Sequence, residues 1–229
     1  MSADTAGVLV AHQLTKAYGD LPASGPIDLV VPGGQRVAML GHNGSGKTTF
    51  LRMVAGLLDP TAGSVTVGGD AVGSIAARAA TSYLGDTPVF YDDLSLWEHV
   101  EYIARLHDTQ DWEQHGADLL EALGLTDRAD DLPTTFSRGL RQKASIVLAF
   151  VRPFELLLVD EPFIGLDRTG RDALLELLRQ AHAQGAAMIV ATHELTTLAD
   201  SDRLVALRDG SVVYDGPVTG ADIDDLVTR

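Results

Sequence analysis

Two patterns of apolar residues alternate along the chain. In one, apolar residues are consecutive, as in Gln35-Arg-Val-Ala-Met-Leu40, Leu156-Leu-Leu-Val-Asp160 and Ala187-Met-Ile-Val-Ala-Thr192. Short runs of this kind, bounded by turn residues, read as strands buried on both faces. In the other, apolar residues recur every three to four positions. Phe50, Leu51, Val54, Leu57 and Leu58 do so until Asp59-Pro60 stops them, which predicts a helix starting at Gly46 or Lys47. The same spacing predicts helices around Leu96 to Leu106, Trp112 to Leu123, Leu140 to Phe150 and Thr169 to Ala183. Val8 to Tyr18 and Ile27 to Val31 read as strands flanking a turn-rich Gly19 to Pro26. Ser64 to Val67 with Gly68-Gly69-Asp70, and Arg203 to Leu207 with Asp209-Gly210 and Val212 to Tyr214, read as hairpins.

Buried strands alternating with amphipathic helices predict an α/β fold with a mainly parallel sheet core, an antiparallel β flank and an inserted helical subdomain. The expected division is one domain over 1–229, with the core in about 1–87 and 151–229 and the helical subdomain in about 88–150. In such a sheet the ligand lies beyond the carboxyl ends of the strands, where Lys47 and Asp160 fall.

Composition narrows the chemistry. The 229 residues suffice for a sizeable core. The absence of Cys excludes disulfides, thiolate metal sites and thiol nucleophiles, and suits a cytoplasmic location. A net charge of -15 argues against nucleic acid as a partner, because phosphate backbones are bound by basic surface. No apolar run reaches the ~18 residues of a membrane span, and Met1-Ser-Ala-Asp-Thr has no signal-peptide character. Any membrane role is therefore expected to pass through another polypeptide.

Gly41-x4-Gly46-Lys47-Thr48, between a predicted strand and a predicted helix, has Walker A spacing. Glycines let backbone amides and a helix N-terminus close around phosphate. The expected nucleotide contacts are Gly41, Asn43, Gly44, Ser45, Gly46, Lys47, Thr48 and Thr49, with Lys47 on the β and γ phosphates and the Thr48 hydroxyl on Mg²⁺. Downstream, Asp160 and Glu161 end an apolar strand. Asp160 is expected to hold Mg²⁺ through its water shell, and Glu161 to polarise the attacking water.

With these motifs in this order, nearly the whole chain resembles the nucleotide-binding subunits of ATP-binding-cassette (ABC) transporters, which implies a P-loop NTPase of ABC type with ATP and Mg²⁺ as cofactors. Phe136-Ser137-Arg138-Gly139-Leu140 takes the place of the family signature, usually Leu-Ser-Gly-Gly-Gln. Without the resemblance, Ser-Arg-Gly before a helix is only a cap. With it, Ser137, Arg138 and Gly139 bind the γ-phosphate held by an opposite subunit. The resemblance further implies adenine stacking for Tyr18, a D-loop role at the dimer interface for Asp167 and a catalytic switch role for His193. Asp86 takes the position of the usual Q-loop Gln, where it would touch Mg²⁺. Arg138 and Leu140 depart from the common signature in a way similar to exporter branches, and Tyr83-Leu-Gly resembles haem-exporter subunits.

The resemblance implies an ATPase that dimerises on ATP with a second ABC subunit, identical or related. It powers transport, with export expected, through a transmembrane permease on the cytoplasmic face, and the lobe near Asp86 to Trp97 relays the motion. Two rivals remain open: a soluble ABC ATPase of DNA repair or ribosomes, and a P-loop kinase. The first usually carries long coiled-coil insertions or two cassettes. The second has no use for Ser137, Asp167 and His193.

Overall fold

In a computed structural model of the chain, residues 7–19, 21–192 and 200–227 are described. The chain divides into two compact units, one formed by residues up to Tyr83, Phe154–Glu161 and His182 onward, the other by Leu84–Pro153 and Pro162–Ala181.

The first unit holds two sheets. One is antiparallel, in the order β2-β1-β4-β5, from β1 (Leu9–Tyr18), β2 (Leu21–Val31), β4 (Ala62–Val67) and β5 (Asp70–Ala71). The other has six strands: β10 (Ser211–Gly216), β9 (Arg203–Arg208), β3 (Arg36–Leu40), β8 (Ala187–Ala191), β7 (Leu156–Asp160) and β6 (Thr81–Leu84), in that spatial order. β9, β3, β8 and β7 run parallel, and β10 joins β9 as an antiparallel hairpin. All residues of β3, β7 and β8 are buried, which explains their unbroken apolar runs. Within β3 the two-residue period divides the core: Val37 and Met39 join Phe50, Leu51, Leu156 and Ile189, whereas Ala38 and Leu40 meet Leu204, Ala206 and Leu226. The helix after the glycine loop, α1 (Lys47–Val54), buries Phe50, Leu51, Met53 and Val54.

Three short elements here carried no periodic signal: α2 (Ile75–Ala80), β6 and α7 (Ile223–Val227). β2 also begins six residues before the expected strand. Its Pro- and Gly-rich start pairs with β1, Tyr18 opposite Leu21 and Lys16 opposite Ser24, through successive register shifts. Pairing with a long neighbour overrides local turn preference, and bulges absorb the irregular residues.

The second unit is helical, with α3 (Leu96–Leu106), α4 (Trp112–Ala122), α5 (Arg138–Phe150) and most of α6 (Arg168–Ala183). α3 opens with a capping box: Glu98 N–H donates to Ser95 Oγ at 3.2 Å, and Ser95 N–H to Glu98 Oε2 at 2.7 Å. Val100, Ala104, Leu119, Leu120, Ala144 and Val147 are buried at helical spacing.

Candidate active site

Strand register brings the two predicted phosphate-site segments to one level of the sheet. Met39 of β3 pairs with Ala191 of β8, and Ala191 pairs with Asp160 of β7. β3 continues into the glycine loop and β7 into Glu161, so both leave the same sheet edge with β8 between them. The alignment extends past the strands, with Glu161 N–H donating to Ala191 O at 2.8 Å and Thr192 N–H to Met39 O at 3.2 Å. β8 runs on toward His193, which lies outside the described residues.

α1 starts with no side-chain cap. Its N-cap, Gly46, has φ of 102°, and a Cβ there would lie 2.9 Å from the Ala23 carbonyl oxygen, so only glycine fits. The first-turn amides thus receive no side-chain cap, and the positive end of the helix dipole lies at that terminus. That is a site for an anion. Ser45 in the loop is buried, Thr48 and Thr49 are half-buried, and Asn43 and Gly44 are exposed.

Lys47 is 6% exposed. Its ammonium donates to Gly41 O at 2.7 Å and His42 O at 3.3 Å, and stands 3.9 Å from Glu161 Oε1. Burial lowers its pKa, and the Glu161 and Asp160 carboxylates oppose that shift. Asp160 is fully buried. Glu161 has φ of 46°, a left-handed conformation unfavourable for a glutamate and of the kind that concentrates at functional sites. Tyr18, at the end of β1, is 57% exposed, and the Lys16 ammonium lies 5.3 Å from its ring centroid. An exposed aromatic face of this kind can stack on a nucleobase.

Among the described residues, no cluster of three or more His, Cys, Asp or Glu is arranged to hold a metal. The loop carries the hydroxyls of Ser45, Thr48 and Thr49, of which Thr48 is the one expected on the metal, and β7 ends in the Asp160 carboxylate. Such a small oxygen set suits a Mg²⁺ ion that keeps phosphate and water among its ligands. The backbone cradle and the buried ammonium suit the polyphosphate.

The second unit carries the remaining predicted residues. Ser137 is the N-cap of α5 and accepts from Leu140 N–H at 3.3 Å. Ser137 and Arg138 are exposed. Gly139 packs backbone to backbone on the loop before α6, where a Cβ would lie 2.6 Å from Gly165 O. Asp167 accepts from Lys143 Nζ at 2.9 Å through Oδ2 and from Gly170 N–H at 2.8 Å through Oδ1, so it caps α6. The Lys143 hydrogen bond, then that of Gly170, holds the Asp167 carboxyl below its ordinary pKa. Asp86 is exposed, two residues beyond β6.

Residues 25–164 match the family model described as ABC transporter. The chain belongs to the ABC transporter family. EcsA of Bacillus subtilis (strain 168), an ABC-type transporter ATP-binding protein, is 33% identical over 210 residues, covering 90% of this chain and 85% of EcsA. SsuB of Pseudomonas putida, an aliphatic sulfonates import ATP-binding protein, is 33% identical over 211 residues, covering 90% of this chain and 75% of SsuB. The solved ATP-binding subunit of an ABC transporter matches with a TM-score of 0.89 at 32% identity, covering 95% of this chain and 97% of that one. This protein is an ABC ATP-binding subunit and an ATPase.

Two features of this ABC ATPase escaped the sequence reading. Lys143 stands four residues after Gly139, on the same face of α5, and that spacing was the available signal. The other is the contact of the Asp209–Gly210 turn, legible in the sequence only as a hairpin, whose Gly210 N–H and C=O reach the glycine loop and β2. Contacts so distant in sequence leave no local pattern.

Proposed function

We propose that this ABC ATPase powers export through a separate membrane permease, and that two copies pair head to tail on the cytoplasmic face of the membrane. The observation that carries the reading is the buried Lys47 ammonium, held on Gly41 O beside the uncapped start of α1 and 3.9 Å from Glu161. No described helix is long and apolar enough to cross a membrane.

In this reading Tyr18 stacks on adenine. The amides of Gly41, Asn43, Gly44, Ser45, Gly46, Thr48 and Thr49 wrap the phosphates, and Lys47 binds the β and γ groups. Thr48 and Asp160 hold Mg²⁺, with Asp86 as a further contact. When bound, the metal neutralises charge developing on the phosphate oxygens. Glu161 accepts a proton from the attacking water as its oxygen bonds to the γ-phosphorus and the bond to ADP breaks. His193 steadies the γ-phosphate. Ser137, Arg138 and Gly139 of the second copy close the site from across the interface, and Asp167 lies along it.

Pairing of identical copies is supported by the content of the chain, which carries both complementary halves. Export is supported by the Ser137-Arg138-Gly139-Leu140 form of the signature; import, named for SsuB, is the opposite outcome. The test co-expresses the chain with the membrane protein encoded beside it. ATP hydrolysis should rise in the complex and fall to background with Lys47→Ala. ATP-driven accumulation in inside-out vesicles supports export, accumulation in right-side-out vesicles with internal ATP supports import, and no permease-dependent change in hydrolysis contradicts the transport reading.

A further inference from the structure

The Asp209–Gly210 turn joins β9 to β10, far in sequence from the glycine loop, yet it is wedged between that loop and the start of β2. Gly210 N–H donates to Ser45 O at 3.0 Å, and Gly210 O accepts from Gly25 N–H at 2.6 Å. Gly210 is buried with φ of 79°, and a Cβ there would lie 3.2 Å from Ser24 Cα and 3.3 Å from Ser24 N. From the other side, a Cβ on Gly46 would lie 3.3 Å from Gly210 Cα. The neighbouring Asp209 is 87% exposed, and its Oδ1 lies 3.8 Å from His42 Nε2 on the loop. Three backbone segments are thus stacked without intervening side chains.

We propose that this turn braces the phosphate loop and that Gly210 is a positioning residue for nucleotide binding. The loop's amides must converge on phosphate oxygens, and a flexible glycine-rich segment does so at lower entropic cost if its backbone is already fixed. Gly210 fixes the carbonyl of Ser45, midway along the loop, and ties it through Gly25 to the β1–β2 ladder. A side chain at 210 pushes against Ser24 and displaces the loop. Affinity falls because the cradle is distorted, with no phosphate contact removed. The inference rests on the nucleotide-binding reading of the loop.

A matched pair of variants separates bracing from backbone strain. Gly69 has φ of 85° and no atom within 4 Å of an added Cβ, so Gly69→Ala carries the same left-handed strain without the contact. Affinity for Mg-ADP is measured by calorimetry on the whole chain, together with thermal unfolding. Both variants should lose stability, but Gly210→Ala alone should weaken Mg-ADP binding, by about tenfold, with ATP turnover at saturation much less affected. Failure of the wild type to bind Mg-ADP would remove the nucleotide reading itself. Wild-type affinity in Gly210→Ala, or equal losses in both variants, would overturn the brace. Should Gly210→Ala not fold, amide exchange in the wild type decides: Mg-ADP slows exchange at Gly210 more than at Gly69 if the turn is coupled to the loop, and an equal response at both amides overturns the proposal.

Discussion

Lys47, the first residue of α1, and Glu161, the residue after β7, face one another across 3.9 Å beyond the ends of β3 and β7, two strands that do not pair because β8 lies between them. The contact is produced by register, and it places a buried cation beside a carboxylate on strained backbone. In this protein the ammonium rests on the carbonyls of its own loop. Phosphate would supply a stronger, charged acceptor at the same place.

Replacing Lys47 with Ala removes that ammonium and leaves Asp160 and Glu161 without the neighbouring cation. Hydrogen bonds to charged groups contribute about 1.5–3 kcal/mol. Mg-ATP affinity should therefore fall roughly ten- to a hundredfold, read by titration calorimetry. Unaltered affinity would contradict the phosphate role of Lys47.

Glu161→Gln keeps size and hydrogen bonding while removing the base. Positioned proton acceptors contribute about 10²–10⁴ in rate. Single-turnover hydrolysis should slow by that order while Mg-ATP affinity stays near wild type. A variant that turns over at the wild-type rate would leave Glu161 without a catalytic role.

At Tyr18 the expected interaction is stacking, which depends on a π face and not on the base edge. Tyr18→Ala should cost about 1–3 kcal/mol of nucleotide affinity. Because any purine stacks, ATP and GTP should weaken by similar factors, and Tyr18→Phe should restore both. Loss for one nucleotide alone would indicate edge recognition.

The Lys143–Asp167 pair makes a pH-dependent prediction. Its folded-state pKa is depressed, so its stabilisation is present above the ordinary carboxylate pKa of about 3.9 and disappears as pH falls through the lower folded value. Asp167 is 64% exposed, which screens the pair and limits it to about 1 kcal/mol. In urea unfolding, Lys143→Met should show a deficit at pH 7 that shrinks below about pH 4. A deficit constant with pH would assign the effect to lost packing of the lysine stem.

The sequence disclosed those parts of the fold whose signals are local. β3, β7 and β8 are unbroken apolar runs because both faces are covered, and α3 was legible from periodicity, whereas its Ser95–Glu98 capping box emerged only in the structure. β6 was not legible, since four mixed residues acquire strand geometry only from their place at the sheet edge. The early start of β2 was hidden behind residues that ordinarily form turns. In the site, the glycine loop was readable from spacing alone, whereas the left-handed backbone of Glu161 and the brace at Gly210 arise from tertiary contacts. Ser137 and Asp167 were placed by resemblance. The structure finds each at the start of a helix, the position a capping residue takes without any catalytic task.

In the proposed dimer each chain carries half of a composite ATP site. Its most direct test is the mass in solution of the Glu161→Gln protein in saturating Mg-ATP, by sedimentation with nucleotide content determined in parallel. A dimer with one ATP per chain is expected, dissociating when ATP is removed. A monomer holding ATP at full occupancy would contradict it.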